Sequence, residues 1–461
     1  MKNIKAFSFT ALGESHKSIH KICQDYSAHI EDQEKGLYAC IVSDGHGGDI
    51  YFRSDRGSKF ATQITVDAIR HFAEKTDKTL FNVPYVGIPA RSTELGTGLL
   101  HKETDQDYAL RHLFSYIISQ WNDCIEKDWN ENPPRENEMG HLPKAVREKY
   151  EAGIDKEKAY GCTLIAFVRT PDYWFAFQLG DGKCIGFESS GNWYEPVPWD
   201  EQCFLNATTS LCDKQALDNF RYCYGESRIP VALFIGSDGM DDSFGTVENL
   251  AGFYSTLLKM FIKEKYEKSL KEIEVYLPVL SAKGSRDDMS LAGVIDFSEL
   301  KSLIPLLIEN EKKQVQLMLE AAKRKIVQAE ENLRQKKLDL EQSLNEEDVL
   351  KSRLLQQNDE ISLAQKEEEK AKKKISKARK AFDEAILFLD ETKEFVSRAS
   401  DSKSLTMEEL NTKEEQTQKV KIEVQYAELN VDRANKAQAD ALQMLEKLAK
   451  EYEELSNNIN K

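Results

Sequence analysis

The chain has 461 residues, 40% of them hydrophobic, enough for two or three domains with at least one sizeable core. Its formal net charge of -16 argues against nucleic acid as the main partner, because phosphate backbones call for a basic surface. No stretch approaches the ~18 apolar residues of a membrane span and the N-terminus lacks signal-peptide order, so a cytoplasmic protein with no membrane role is expected.

From Ile4 to Val294, short β-like runs alternate with helical patches. The predicted strands are Ala6 to Thr10, Tyr26 to Ile30, Leu37 to Ser43, Thr163 to Arg169, Trp174 to Leu179, Lys183 to Phe187, Ala232 to Ser237 and Met289 to Ile295. The predicted helices are Arg56 to Glu74, Asp107 to Lys127, Val247 to Lys263 and Tyr266 to Leu277. This order reads as α+β, with sheets packed together and helices outside. Residues 79 to 105 and 130 to 158 are polar and punctuated by Gly and Pro, as long loops are. No CxxC pair or zinc spacing occurs, so the eight cysteines read as reduced thiols.

Near residue 300 the composition changes: all cysteines precede it, and Gly293 and Pro305 are the last of their kinds. The charge divides as about -13 before this point and about -3 after it. Val315, Leu319, Ala322, Ile326, Ala329 and Leu333 alternate four and three apart, as a coiled-coil seam requires. The phase continues through Leu354 to Leu389 and again from Val420 to Ile459. The expected organisation is a globular domain over 1–298 and an all-α coiled coil over 299–461. An unbroken helix from Leu306 would extend roughly 230 Å. An antiparallel hairpin is therefore favoured, turning near Asp401 with Thr406 and Glu409 capping the second helix. An extended parallel dimer is the competing arrangement.

Five Asp motifs mark the globular half: CQDY at Cys23, SDGHGG at Ser43, LGDGK at Leu179, SDGMDD at Ser237 and SRDDMS at Ser285. Four abut strands. One Asp-Gly alone is most simply a turn, but repeated strand tips bearing Asp and a free Gly carbonyl suit Mg2+ or Mn2+, which prefer carboxylate, carbonyl and water oxygens.

Taken in order, with Gly-Cys-Thr-Leu at Gly161, these motifs resemble the metal-dependent protein phosphatase family of the protein phosphatase 2C type, over roughly residues 4 to 296. The segment Gly13 to Asp25 resembles its bacterial branch with Ser-His followed by Cys-Gln-Asp. The resemblance implies a β-sandwich flanked by helices and a metal-dependent serine/threonine phosphatase with two metals, Mg2+ or Mn2+. It implies that Asp44 bridges them, that Gly45 adds a carbonyl, and that Asp238 and Asp287 complete the other site. Asp25 would hold metal-bound waters, and Asp181 with Asp238 would recruit a weaker third metal. Gln24 stands where some members have Glu.

By the same resemblance His46 would protonate the departing serine or threonine oxygen, a role suited to a group titrating near neutrality. Many members grip phosphate with an Arg at the position of His20, so His16, His20 or Lys21 is expected to supply that contact. The implied partners are a phosphoprotein substrate, a serine/threonine kinase system in signalling or defence, and a protein bound or paired through the coiled coil. The competing function is a catalytically weak, phosphatase-like scaffold or sensor acting through that coiled coil.

Overall fold

The computed structural model describes residues 3–91, 102–200, 202–203, 207–377 and 382–459. The β-branched and aromatic runs form eleven strands among these residues: β1 (Ile4–Ala11), β2 (Tyr26–Asp32), β3 (Leu37–Ser43), β4 (Val86–Ile88), β5 (Leu164–Arg169), β6 (Trp174–Leu179), β7 (Lys183–Phe187), β8 (Trp193–Tyr194), β9 (Arg221–Gly225), β10 (Ala232–Gly236) and β11 (Met289–Asp296). They pair antiparallel into a sheet of order β1-β11-β10-β7-β8 and another of order β2-β3-β5-β6-β9-β4.

The sheets face each other. Cys40 and Val42 of β3 share a buried core with Leu233 and Ile235 of β10 and Ala292 and Val294 of β11. The alternate residues Ala39 and Ile41 point the other way, into a core with Ile69, Phe114 and Trp121. β3 is thus buried on both faces, which explains its unbroken apolar run.

The helices, in chain order, are α1 (Glu14–Ser18), α2 (Ser54–Lys75), α3 (Asp105–Glu131), α4 (Glu136–Met139), α5 (Lys144–Glu151), α6 (Ala216–Asn219), α7 (Asp238–Phe244), α8 (Val247–Lys263), α9 (Tyr266–Lys283), α10 (Phe297–Lys377) and α11 (Phe382–Ile459). α2 and α3 cover the second sheet, while α8 and α9 cover the first. The expected sandwich flanked by helices is the observed fold. The stretch 79–105 holds the unforeseen β4, and its residues 92–101 lie outside the described residues. The stretch 130–158 contains α4 and α5 rather than plain loop.

The chain divides into two compact units, Met1–Glu311 with Lys450–Lys461, and Lys312–Ala449. The boundary expected at 298 falls inside the first unit. Leu300, Leu303, Ile304, Leu307 and Ile308 keep helical spacing and remain in the core of α8 and α9. Lys259 closes that packing with an ion pair to Glu311 at 3.0 Å.

In the second unit α10 and α11 run antiparallel: Lys337 pairs with Glu428 at 3.6 Å, Ser343 with Thr417 at 2.8 Å and Gln357 with Ser402 at 2.6 Å. The seam residues Val315, Leu319, Ala322, Ile326, Ala364, Val424 and Ala427 are buried. The side chains of Ala371, Ile375, Ala378, Phe382, Ala385, Leu389, Leu448, Tyr452, Leu455 and Ile459 lie outside the described residues. The turn expected near Asp401 is absent, because α11 runs through it. Thr406 is no cap: it is buried, and its hydroxyl donates to Ser402 O at 3.0 Å inside the helix. Ser397 to Leu410 contains neither Gly nor Pro, so no residue there breaks the helix.

Candidate active site

Asp44 leaves the end of β3 with its backbone pinned. Its N–H donates to Thr163 Oγ1 at 3.0 Å and Thr163 N–H donates to its carbonyl at 2.8 Å, which leaves the carboxyl to project. Tyr26 pairs with Ser43, so the preceding residue, Asp25, is carried to the same sheet end. From the facing sheet, Asp238 opens α7 directly after Ser237, whose Oγ accepts the Ser290 N–H at 3.0 Å. Asp287 precedes β11 and its side chain is 53% exposed, while Asp181 occupies the β6–β7 turn, half-buried.

The glycine of each Ser-Asp-Gly motif has a steric reason. A Cβ on Gly45 would lie 2.6 Å from Gln24 O and 2.7 Å from Ser54 O, and one on Gly239 would collide with Asp288 O. Neither glycine has positive φ. Close approach of neighbouring backbone, rather than a turn, demands them.

The carboxyls are too close together to be independently ionised. Burial pushes Asp44 above the usual carboxylate range, and the charges of Asp238 and Asp25 add to it. Asp25 rises likewise, through burial and then Asp288 and Asp238. Asp238 is pushed up to about 6, chiefly by burial; its hydrogen bond with Asp44 works against the rise. Burial raises Asp181 as well. Among the described residues no Lys, Arg or His forms an ion pair with Asp25, Asp44 or Asp238, and Asp25 Oδ2 is buried without a hydrogen-bond partner. Such a nest of oxygen donors fits hard divalent cations. Among the described residues no three or more His, Cys, Asp or Glu side chains are gathered closely enough to hold a metal ion by themselves.

His46 is held by its backbone. Its N–H donates to Gly161 O at 3.1 Å, and its carbonyl accepts from Gln24 Nε2 and Ser54 Oγ, both at 2.9 Å. The ring meets Tyr51 edge-on at 4.7 Å. Burial pushes the imidazole down to about 4, so near neutral pH it is an uncharged ring rather than the near-neutral acid expected.

The three groups named for phosphate contact occupy different places. His20 is exposed, with φ +56°. His16 turns inward, with Nδ1 3.0 Å from Asp288. Lys21 donates from Nζ to Gly47 O at 3.0 Å, beside the His46 loop.

Sequence reasoning passed over Asp288, although SRDDMS displayed it. Its carboxylate accepts the Gly13 N–H at 2.7 Å and the Gln24 N–H at 2.6 Å. Burial opposes its ionisation, but these bonds and His16 outweigh that and hold it below the usual range.

This sandwich, with acids from both sheets at one end, matches a known class. The family model described as Protein phosphatase 2C matches residues 12–273, and the chain belongs to that family of protein phosphatases. Similar solved structures include PppA, a key regulatory component of the type VI secretion system in Pseudomonas aeruginosa, at 14% identity over 64% of this chain and 98% of that one, TM-score 0.37. The Mycobacterium tuberculosis serine/threonine phosphatase PstP/Ppp shares 11% identity over 63% and 98%, TM-score 0.36. RsbX in complex with magnesium shares 11% over 63% and 94%, TM-score 0.34. No curated protein matches the chain.

Proposed function

We propose that the protein hydrolyses phosphoserine and phosphothreonine in proteins with two divalent cations, Mg2+ or Mn2+, held at the Asp44 end of the sandwich. The observation that carries this reading is the set of carboxyls Asp25, Asp44 and Asp238, crowded enough to raise all three and lacking any basic partner among the described residues. When bound, such cations supply a hydroxide-like water and charge for the phosphoryl oxygens.

The chain's own groups then divide the work. Asp44 would serve both cations and the Gly45 carbonyl one of them. Asp238 and Asp287 would hold the other, and Asp181 with Asp238 would leave room for a weaker third. The orphan Oδ2 of Asp25 accepts a hydrogen bond from water and orients it. His46, uncharged, offers a ring N–H to the leaving oxygen. Lys21 takes the phosphate contact, being the cation beside that loop.

The long helices serve as an arm for assembly or for a protein partner, and the phosphoprotein substrate comes from a serine/threonine kinase system in the cytoplasm. Full-length protein should release phosphate from a phosphothreonine peptide with Mn2+ or Mg2+ and none in EDTA. Absence of turnover with either metal would leave the scaffold reading, which the uncharged His46 and the lack of an Arg at residue 20 favour.

A further inference from the structure

A single helical turn, Asp49–Tyr51, follows the SDGHGG motif and carries a ring whose place is fixed from several sides. Tyr51 N–H donates to Gly48 O at 2.9 Å, the Tyr150 hydroxyl donates to Ile50 O at 2.9 Å, and Arg53 N–H donates to Ala159 O at 2.8 Å. Bonds thus hold the chain at Tyr51 and on both sides of it. Among the described residues the Tyr51 hydroxyl makes no hydrogen bond, so the residue contributes its ring.

The His46 ring is held differently. Its backbone is pinned at N–H and carbonyl, but among the described residues neither ring nitrogen is hydrogen-bonded, which leaves the direction of the imidazole to packing. Tyr51 meets it with 4.7 Å between centroids and 66° between planes, a geometry that aromatic pairs prefer. The second wall is Gly161. A Cβ there would lie 2.8 Å from His46 Cδ2 and 2.7 Å from Tyr51 Cδ1, so both rings press into space that only glycine leaves open. Gly161 O also accepts the His46 N–H at 3.1 Å, which ties that wall to the backbone of the ring it supports. Tyr51 and Gly161 therefore form a corner that receives the Cδ2 edge of the imidazole, and with that edge seated the places of the ring nitrogens are set.

We propose that Tyr51 is a positioning residue for His46: with Gly161 it seats the imidazole and so aims the ring N–H at the departing serine or threonine oxygen. The inference rests on the reading of His46 as the group that offers its N–H to that oxygen. Misplacing a reacting group by about 1 Å costs up to about 100-fold in rate.

Two substrates and one spectrum of the full chain test it. p-Nitrophenolate departs without a proton, whereas a threonine oxygen needs one. With Mn2+, Tyr51→Leu should lower kcat on a phosphothreonine peptide about 10–100-fold, with KM and the turnover of p-nitrophenyl phosphate little changed. Tyr51→Phe should restore the native rate, and adding Tyr51→Leu to His46→Ala should cost nothing further. In EDTA, the nuclear Overhauser contact between His46 Hδ2 and Gly161 Hα should be present in the native chain and in Tyr51→Phe, and lost in Tyr51→Leu. Tyr51→Met, unbranched and without a fixed face, replaces Tyr51→Leu in each comparison if that variant melts early. A contact kept in Tyr51→Leu, equal losses on the two substrates, a Tyr51→Phe chain as impaired as Tyr51→Leu, or a full additional loss on top of His46→Ala would overturn the inference alone. Native turnover of the phosphopeptide by His46→Ala, or a native chain that turns over neither substrate, would overturn the reading of His46 and this inference with it.

Discussion

Asp44 follows β3 of one sheet and Asp238 follows β10 of the other, and the charge of Asp238 adds to the burial that raises the Asp44 carboxyl. Folding has brought them together against both desolvation and charge, and the strain shows as raised affinity for protons. Asp238→Asn should therefore stabilise the cation-free protein by about 1 kcal/mol, or about 2–4 °C in melting temperature, while its metal-dependent turnover falls to background. Melting in EDTA and phosphate release with Mn2+ read the two effects.

Cations should reverse the same strain in the native sequence. Mn2+ at about 100 times its dissociation constant should add about 2.7 kcal/mol of stability, and EDTA should remove it. Asp44→Asn should melt at one temperature with and without Mn2+, which differential scanning calorimetry would show.

Lys21 touches the Gly47 carbonyl and no acid at ion-pair distance among the described residues. A charge-assisted contact to phosphate is worth about 1.5–3 kcal/mol, so Lys21→Ala should raise KM about tenfold or more with kcat little changed. Lys21→Arg should recover most of it. His20→Ala should leave KM unchanged, since its ring is exposed. Steady-state kinetics on a phosphopeptide would decide between the two residues.

Away from the site, Arg53 is 2% exposed and is bonded to Glu138 at 2.9 Å, Tyr160 at 2.9 Å and Asp128 at 3.4 Å. Burial opposes ionisation of both acids. Hydrogen bonds from Tyr160 and Arg56 to Asp128, and from Arg53 to Glu138, outweigh it and hold both below the usual carboxylate range. Their folded values are depressed, so their contribution is fully present above the unfolded value near ~4 and is lost as pH falls through the folded values. The difference in melting temperature between the native chain and Glu138→Gln should be level near neutrality and shrink below about pH 4. Arg53→Leu should cost about 3–5 kcal/mol at neutral pH by leaving both acids without their buried partner.

Ser343 and Thr417 meet hydroxyl to hydroxyl at 2.8 Å between α10 and α11. The double variant Ser343→Cys with Thr417→Cys should close an intrachain disulfide on mild oxidation, seen as a faster-migrating monomer on non-reducing gels. A parallel dimer would keep these positions far apart, and no such band would form.

Much of this molecule was legible from local signals. β3 and β10 announced themselves as apolar runs because they are buried on both faces, and the heptad spacing marked the seam that holds Val315, Leu319 and Val424 inside. β4 and β9 were not legible. Val86–Ile88 and Arg221–Gly225 are too short for a period to register, and they are strands because β9 pairs with β6 and β4 in turn pairs with β9. The hairpin turn was misplaced because polar seam residues looked like an interruption, whereas Thr406 and Thr417 are buried inside α11.

The sequence by itself determined the sandwich, the family and the acids at its strand tips, because periodicity and short motifs act within a few residues of the chain. Tertiary structure alone decided why those motifs need glycine, through backbone pressing on Gly45 and Gly239. It also decided that His16 faces Asp288 and Asp287, and that burial lowers the His46 imidazole to about 4. These properties depend on which distant groups share a small volume and on how little water reaches them. Both are set by packing across the whole chain, not by any stretch of it.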